Sequence, residues 1–250
     1  MFMFSTDVFK KGINIFKKYD VCPFCNNKMY NPYFIGVDAA VLKEKNVIGG
    51  GRRKAGCSKC GSSDRERLIY VYLKNELNVF NKKKLSILHM APEKNITQKL
   101  LELGFNQYVC GDLFTEGYSY PQHVRNINIL NIPFIENTFD LIICNHLLEH
   151  IPNDIDAMSE IFRVLKTGGT AILQVPISET LEKTFEDFTI TNPTDREKFF
   201  GQFDHVRIYG QDYSDRLRSI GFKVNRVNIH NEYPKFGLNK KEDIFVCSKF

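Results

Sequence analysis

The sequence predicts an α/β protein with a parallel, doubly wound sheet and a small cysteine-bearing unit in front of it. Two observations carry that expectation. From residue 85 onward, short apolar runs of strand length alternate with amphipathic helical stretches, the pattern of strands joined by right-handed crossover helices. Upstream the alternation is missing, and four cysteines stand in two Cys-x-x-Cys pairs instead. The chain therefore divides into a unit over 1–62 and a larger one over 63–250.

The pairs are Cys22-Pro-Phe-Cys25 and Cys57-Ser-Lys-Cys60. Each offers two thiolates from one tight turn, and four thiolates suit a tetrahedral Zn²⁺ with no open position, which makes such a metal structural. Gly49-Gly-Gly51 and Gly56 before the second pair, with Gly61 after it, fit a zinc-ribbon pattern. The 31 residues between the pairs exceed ordinary ribbon spacing and predict an inserted hairpin or loop around 33–48. A redox pair would need a surrounding βαβ pattern, which this stretch lacks. Cys110, Cys144 and Cys247 sit in apolar strand-like runs and read as small core residues.

Ser63-Asp-Arg-Glu66 has the form of a capping box, and Ile69, Leu73, Leu77 and Phe80 follow at helical spacing, predicting a helix over 64–80. Strands are expected at 85–90 and 108–111, around a helix over 95–103 that Gly104 closes. A strand over 139–145 leads to a helix near 154–166, with Ile155, Met158, Phe162 and Leu165 on one face, stopping at Gly168-Gly169. A strand over 171–175, a helix near 212–220 ended by Gly221, and terminal strands at 222–227 and 244–247 complete the order.

With 250 residues, 43% apolar and 25% charged, the chain can build a sizeable core, which excludes a disulfide-stapled miniprotein, a disordered chain and a fibrous repeat. No apolar stretch reaches the roughly 18 residues of a membrane helix. The Phe-rich start Met1–Phe16 is broken by Ser5, Asp7, Lys10 and Lys11 before a secretory core can form, so the chain reads as cytosolic. Thirty-four Lys and Arg against 29 acidic residues give +5, a charge that tolerates an anionic partner without the basic excess of a dedicated nucleic-acid binder. The basic runs Arg52–Lys54 and Lys82–Lys84 read as solvated loop positions.

In a doubly wound sheet, ligands bind outside the carboxyl ends of the strands. There the chain has His89-Met-Ala-Pro-Glu93 after the first strand, Gly111-Asp112-Leu113 after the second, and Asn145-His-Leu-Leu-Glu149-His150 after the strand over 139–145. Asp112 comes about twenty residues after the first strand, where a carboxylate can accept both ribose hydroxyls of a nucleotide-like ligand. His146-Leu-Leu-Glu-His150 also has the H-x-x-E-H form of a zinc peptidase. It follows a strand directly, however, and Pro152 interrupts any long helix through it.

The run Asn128-Ile-Leu-Asn-Ile-Pro-Phe-Ile-Glu-Asn-Thr-Phe-Asp-Leu-Ile-Ile-Cys-Asn-His-Leu-Leu-Glu-His-Ile151, followed by Arg163-Val-Leu-Lys-Thr-Gly-Gly169, resembles class I S-adenosylmethionine-dependent methyltransferases of the type 11 group, over roughly 85–250. The cysteine pairs, Asp64-Arg-Glu-Arg67 and Phe200-Gly-Gln-Phe-Asp-His-Val-Arg-Ile-Tyr-Gly210 make the chain similar to a bacterial subgroup carrying a zinc ribbon, which extends the resemblance over nearly the whole sequence. It implies a Rossmann-like methyltransferase sheet and S-adenosylmethionine as cofactor. The contacts it implies are His89, Ala91 and Glu93 in the first loop, Asp112 and Leu113 after the second strand, then Asn128, Ile129 and Asn145. Two departures stand out: the usual Gly-rich first loop is replaced by His89–Glu93, a form the subgroup shares, and Asn128 stands where an Asp is usual. The Asn oxygen can still accept from an adenine amino group.

Methyl transfer from a sulfonium needs alignment and, for a hydroxyl acceptor, removal of a proton. His146 at its strand end and His205, oriented by Asp204, are the candidate bases; Arg207 reads as an anion clamp, with Tyr209 and His150 as further acceptor contacts. The resemblance implies a small-molecule acceptor, a sugar or a phosphorylated or nucleotide-linked precursor of surface polysaccharide. Two other classes stay open. One is an RNA methyltransferase using the ribbon on nucleic acid, against which the modest charge and the lack of an Asn-Pro-Pro-Tyr or catalytic-cysteine motif count. The other is a non-catalytic cofactor-binding scaffold.

Overall fold

A computed structural model describes residues 19–117 and 119–250; the reading of Met1–Phe16, and residues 1–18 of the expected 1–62 unit, lie outside them. The cysteine unit opens with the hairpin Asp20–Val21/Lys28–Met29, whose turn carries Cys22 and Cys25. A second pair of strands, Tyr33–Ile35 and Arg53–Gly56, leads to Cys57 and Cys60. The expected insertion lies between those two strands. It is a short helix α1 (Ala40–Glu44) and a strand, Val47–Ile48, that leaves its own unit to pair antiparallel with Ile177–Ser178. Ala39 and Leu42 of this insertion pack with Phe200 and Ile208, so the insertion is a tether between the two parts of the chain.

The main sheet has seven strands: β1 (Ser86–Met90), β2 (Gln107–Asp112), β3 (Val124–Asn126), β4 (Phe139–Asn145), β5 (Leu165–Gln174), β6 (Lys223–Val227) and β7 (Ile244–Ser248). Their order is β6-β7-β5-β4-β1-β2-β3. Strands β1 to β5 are mutually parallel, whereas β7 runs antiparallel to both β5 and β6. The sheet is therefore mixed at one edge rather than wholly parallel. The described link from β6 to β7 holds no crossover helix, and a chain without one returns antiparallel. The order reverses between β1 and β4, which puts the crevice of the sheet at the carboxyl ends of those two strands.

Four of the five longer helices cover the sheet, α2 (Asp64–Val71), α3 (Lys94–Leu103), α4 (Asp154–Val164) and α6 (Tyr213–Ile220), while α5 (Pro193–Phe200) packs on α1. The capping box starts α2 as expected: Ser63 Oγ accepts from Glu66 N at 3.1 Å and the Glu66 carboxylate accepts from Ser63 N at 2.9 Å. The helix expected over 64–80 is α-helical only to Val71, then passes through a π turn over Tyr72–Glu76. Helix α4 ends at Val164, before the two glycines. Gly168, at φ +77°, serves an irregularity inside β5 between Leu165 and Thr170 instead. Strand β3 and helix α5 carry too little periodicity to have been expected. Ile87, Leu141, Ile143 and Ile172 face α2 and α3, while Leu88, Ile142, Cys144 and Leu173 face α4 and α6. Burial on both faces explains why these strands read as continuous apolar runs.

Candidate functional site

Strands β1 and β4 end side by side, and each leaves the sheet through a non-glycine residue in left-handed backbone: Ala91 at φ +47° and His146 at φ +53°. Each such conformation costs on the order of 1–3 kcal/mol and persists where surrounding structure enforces it. Backbone hydrogen bonds to neighbouring strands enforce both. Ala91 N donates to Gly111 O at 2.8 Å, and His146 N donates to Gln174 O at 2.7 Å. Glu93 bridges the two strand ends, accepting from Asn145 Nδ2 at 2.9 Å with one oxygen and lying 2.7 Å from His89 Nε2 with the other. Burial opposes ionisation of Glu93, but His89 and Asn145 outweigh it and hold the carboxyl below its ordinary range.

Two cavities adjoin at this point. The strand-end cavity, about 410 Å³, lies between Glu93 and Lys94 at the start of α3 and Asn145 at the end of β4 on one side, and Cys60, Gly61 and the α2 cap Ser63 on the other. The inner cavity, about 290 Å³, is closed by the inserted segment Ile35–Gly51 on one side and by Phe200–Ile208 on the other. Ser63, Arg65 and His146 line both. Unpartnered buried polar atoms gather around the junction: Asn145 Oδ1, both ring nitrogens of His146, and Glu149 Oε2. Buried polar groups are ordinarily paired, so a cluster without partners marks a place built for a ligand. Burial, reinforced by the Arg65 charge and opposed by Glu149, lowers the His146 pKa to about 4, so the ring is neutral and able to accept a proton.

Arg65 and Glu149 are the two site residues that the sequence reading missed. Arg65 projects from the first turn of α2 and donates to Gly49 O at 3.0 Å, which links α2 to the glycine run of the insertion. Its neighbours are spent elsewhere: Asp64 takes both Arg53 contacts at 2.6 Å, and Arg67, buried, donates to the carbonyls of Ala55, Ser62, Phe236 and Gly237. The signal for Arg65 is the helix start itself, because the capping box fixes it in the first turn of α2, which borders both cavities.

Several expected contacts are corrected. His89 is fully buried, with Tyr108 OH at 2.9 Å and Glu93 at 2.7 Å on its two ring nitrogens; it holds Glu93 and lines neither cavity. Arg207 borders the inner cavity, but four of its five N–H groups are spent inside the protein, on Glu186 and on the carbonyls of Leu148, Ile151 and Pro152, so it is not the free anion clamp expected. Tyr209 is buried with its hydroxyl donating to Asp154 Oδ2 at 2.7 Å. Asp204 orients His150 rather than His205: Oδ2 lies 3.2 Å from His150 Nδ1, and the pair raises the His150 pKa against the effect of burial. His205 packs edge-on against His150, and burial lowers its pKa. His150 and His205 do border the inner cavity.

Asp112 is half-buried at the end of β2, beside a further cavity of about 610 Å³ that shares Lys94 with the strand-end cavity. Its Oδ1 accepts from Leu113 N at 2.8 Å, and burial raises its pKa. Leu113 is exposed, as is Asn128, whose side-chain oxygen already accepts from Leu130 N at 2.9 Å. The Ile129 side chain belongs to the core, so only its backbone can reach a ligand.

The four cysteines converge. Sγ of Cys22 lies 3.5 Å from that of Cys60, and Sγ of Cys25 lies 3.7 Å from that of Cys57. Thiolates at about 2.3 Å around a tetrahedral zinc would stand about 3.8 Å apart, so the donor set fits that ion. Burial disfavours the Cys57 thiolate, but the backbone amides of Cys60 and Lys59 reverse this and bring its pKa to about 6.

Residues 93–173 match a family described as a methyltransferase domain. Over 65 residues the chain is 46% identical to an uncharacterized protein of Methanocaldococcus jannaschii, covering 25% of this chain and 28% of that one. Over 49 residues it is 39% identical to a demethylmenaquinone methyltransferase of Lactiplantibacillus plantarum, covering 20% and 21%. The alignments thus span under a third of these relatives' length. A SAM-dependent methyltransferase of Archaeoglobus fulgidus superposes with a TM-score of 0.48 at 12% identity, covering 75% of this chain and 95% of that one. Among the described residues, no helix is long and apolar enough to cross a membrane.

Proposed function

We propose that the chain is an S-adenosylmethionine-dependent methyltransferase whose acceptor is a small molecule bound in the inner cavity. The observation that carries the reading is the pair of adjoining cavities at the point where the strand order reverses, with His146 lining both. The matched methyltransferase domain over 93–173 begins just after the end of β1 and includes the end of β4.

The cofactor supplies an activated methyl group. Asp112 would hold its ribose, with Leu113 and the 128–129 backbone beside the adenine, and the strained Ala91 turn lets the backbone come close. Glu93 and Asn145 would take its ammonium end, and Arg65 and Lys94 its carboxylate, since the strand-end cavity offers groups of both signs. Zinc held by Cys22, Cys25, Cys57 and Cys60 would fix the wall formed by Cys60, Gly61 and Ser63. The insertion closes the inner cavity and keeps water from the reacting atoms. His146, standing between the cavities and neutral, is the base in preference to His205, which borders only the inner one. Arg65 at the junction supports an acceptor bearing a phosphate, in keeping with a sugar or a phosphorylated or nucleotide-linked polysaccharide precursor.

A methyl-transfer screen of nucleotide-linked sugars with isotopically labelled cofactor tests this. Wild type should label an acceptor, while His146→Ala should lose about 10²- to 10⁴-fold in turnover and keep its cofactor affinity. Transfer to RNA alone, with no small acceptor labelled, would overturn the choice of acceptor.

A further inference from the structure

We propose that Glu149, His150 and His205 form a site for a divalent first-row transition metal at the floor of the inner cavity. One donor atom from each lies within 4.8 Å of the others, and all three residues line the cavity. Two imidazoles and one carboxylate on one side of an ion leave its remaining positions open, here toward the cavity.

Four further features point to a cation. Glu149 is buried, its Oε1 stands 3.5 Å from His146 Nδ1 without a hydrogen bond, and its Oε2 has no partner. Among the described residues, no lysine or arginine pairs with this carboxylate: Arg207 is engaged by Glu186 and three carbonyls, and Arg65 reaches Gly49 O. Such a buried charge is retained where something else neutralises it. Asp204 lies 3.2 Å from His150 Nδ1, the carboxylate–histidine arrangement that fixes a metal-binding imidazole and leaves its other nitrogen for the ion. The two ligand-bearing segments are also tied together, Val206 N donating to Glu149 O at 3.0 Å.

This site is distinct from the four cysteines, and its N/O donors suit Zn²⁺, Fe²⁺ or Co²⁺ rather than a thiolate-seeking ion. Its role rests on the methyltransferase reading: it anchors an acceptor that presents one or two oxygens, a hydroxyl beside another hydroxyl or a carboxylate, with the hydroxyl toward His146. Metal binding itself does not depend on that reading.

The test uses the full chain, dialysed against a weak chelator that leaves one equivalent of zinc on the cysteines, then titrated with Co²⁺ and followed by elemental analysis and visible absorption. Wild type should take up one further equivalent with a spectrum free of thiolate charge transfer. Glu149→Gln and His205→Gln should abolish that uptake, and Asp204→Asn should weaken it about 10- to 100-fold, while the cysteine-bound equivalent stays. If Glu149→Gln does not fold, the other two variants decide. No uptake beyond the first equivalent, or variants that bind as wild type does, would overturn the site. Cofactor titration is run separately, so a chain that binds Co²⁺ but no S-adenosylmethionine keeps the metal site and loses the methyltransferase reading.

Discussion

The strand-end cavity and the inner cavity share three residues but are made in different ways. Strand ends and the first turn of α3 supply one wall of the former, so the polar groups of that wall follow directly from where β1 and β4 stop, and the capped start of α2 supplies most of the other. The latter is assembled from the inserted segment, the turn after β4 and the 200–208 stretch, which meet only in the folded chain. A site built on regular elements inherits its geometry from the fold, whereas one built from loops depends on each tether that holds them. The insertion is such a tether, through Val47–Ile48 on the 177–178 strand and through Leu42 on Gly201. There a Cβ would stand 2.5 Å from Leu42, and φ is +87°, so only glycine fits.

The largest effect is expected at the cysteines. Structural zinc contributes on the order of 10 kcal/mol to small domains. Cys57→Ser should therefore release the ion, unfold 19–62 and abolish turnover, while the β1 and β4 amides stay protected. Metal analysis with hydrogen exchange reads both effects, and retained protection over 19–62 would count against a zinc-held wall.

Arginines separate a tether from a ligand contact. Arg207→Ala removes a buried donor from Glu186, which Arg216 still contacts, and from three carbonyls, and should cost about 3–5 kcal/mol in denaturant unfolding. Arg65→Ala should leave stability nearly unchanged and raise the Michaelis constant of a phosphorylated acceptor. If both variants affect only stability, Arg65 is no ligand contact.

Glu242 is buried near the same junction, 3.4 Å from Gln174 Nε2, and burial pushes its pKa to about 7, with Asp64 adding to the rise. A raised carboxyl pKa favours the protonated folded state. That contribution is complete below about pH 4.5 and is lost as pH rises through 7, a fall of about 3 kcal/mol. Glu242→Gln should remove the fall, so urea midpoints of variant and wild type should agree near pH 4.5 and diverge by pH 8. Parallel curves would show that Glu242 is already paired.

Periodicity revealed the sheet because its strands are buried on both faces, and Ser63 and Glu66 announced α2 through their spacing. The cysteine pairs were legible because two matched turns in one chain imply a common partner. Arg207 and Tyr209 misled for a physical reason: a cluster of polar side chains in sequence says nothing about which carbonyls the fold will bring to them. The corollary is Glu149, passed over as part of a false peptidase motif, which becomes conspicuous only when its unpartnered oxygen is seen beside His150 and His205. Asp204 was assigned to the adjacent histidine, yet the turn of the chain gives it to His150 instead.

The most direct test of the account is isothermal titration of S-adenosylmethionine and its demethylated product into wild type and Asp112→Ala. Two ribose hydrogen bonds to a carboxylate at about 1.5–3 kcal/mol each predict one site per wild-type chain and at least a tenfold loss of affinity in the variant. No binding by wild type, or equal binding by both proteins, would contradict it.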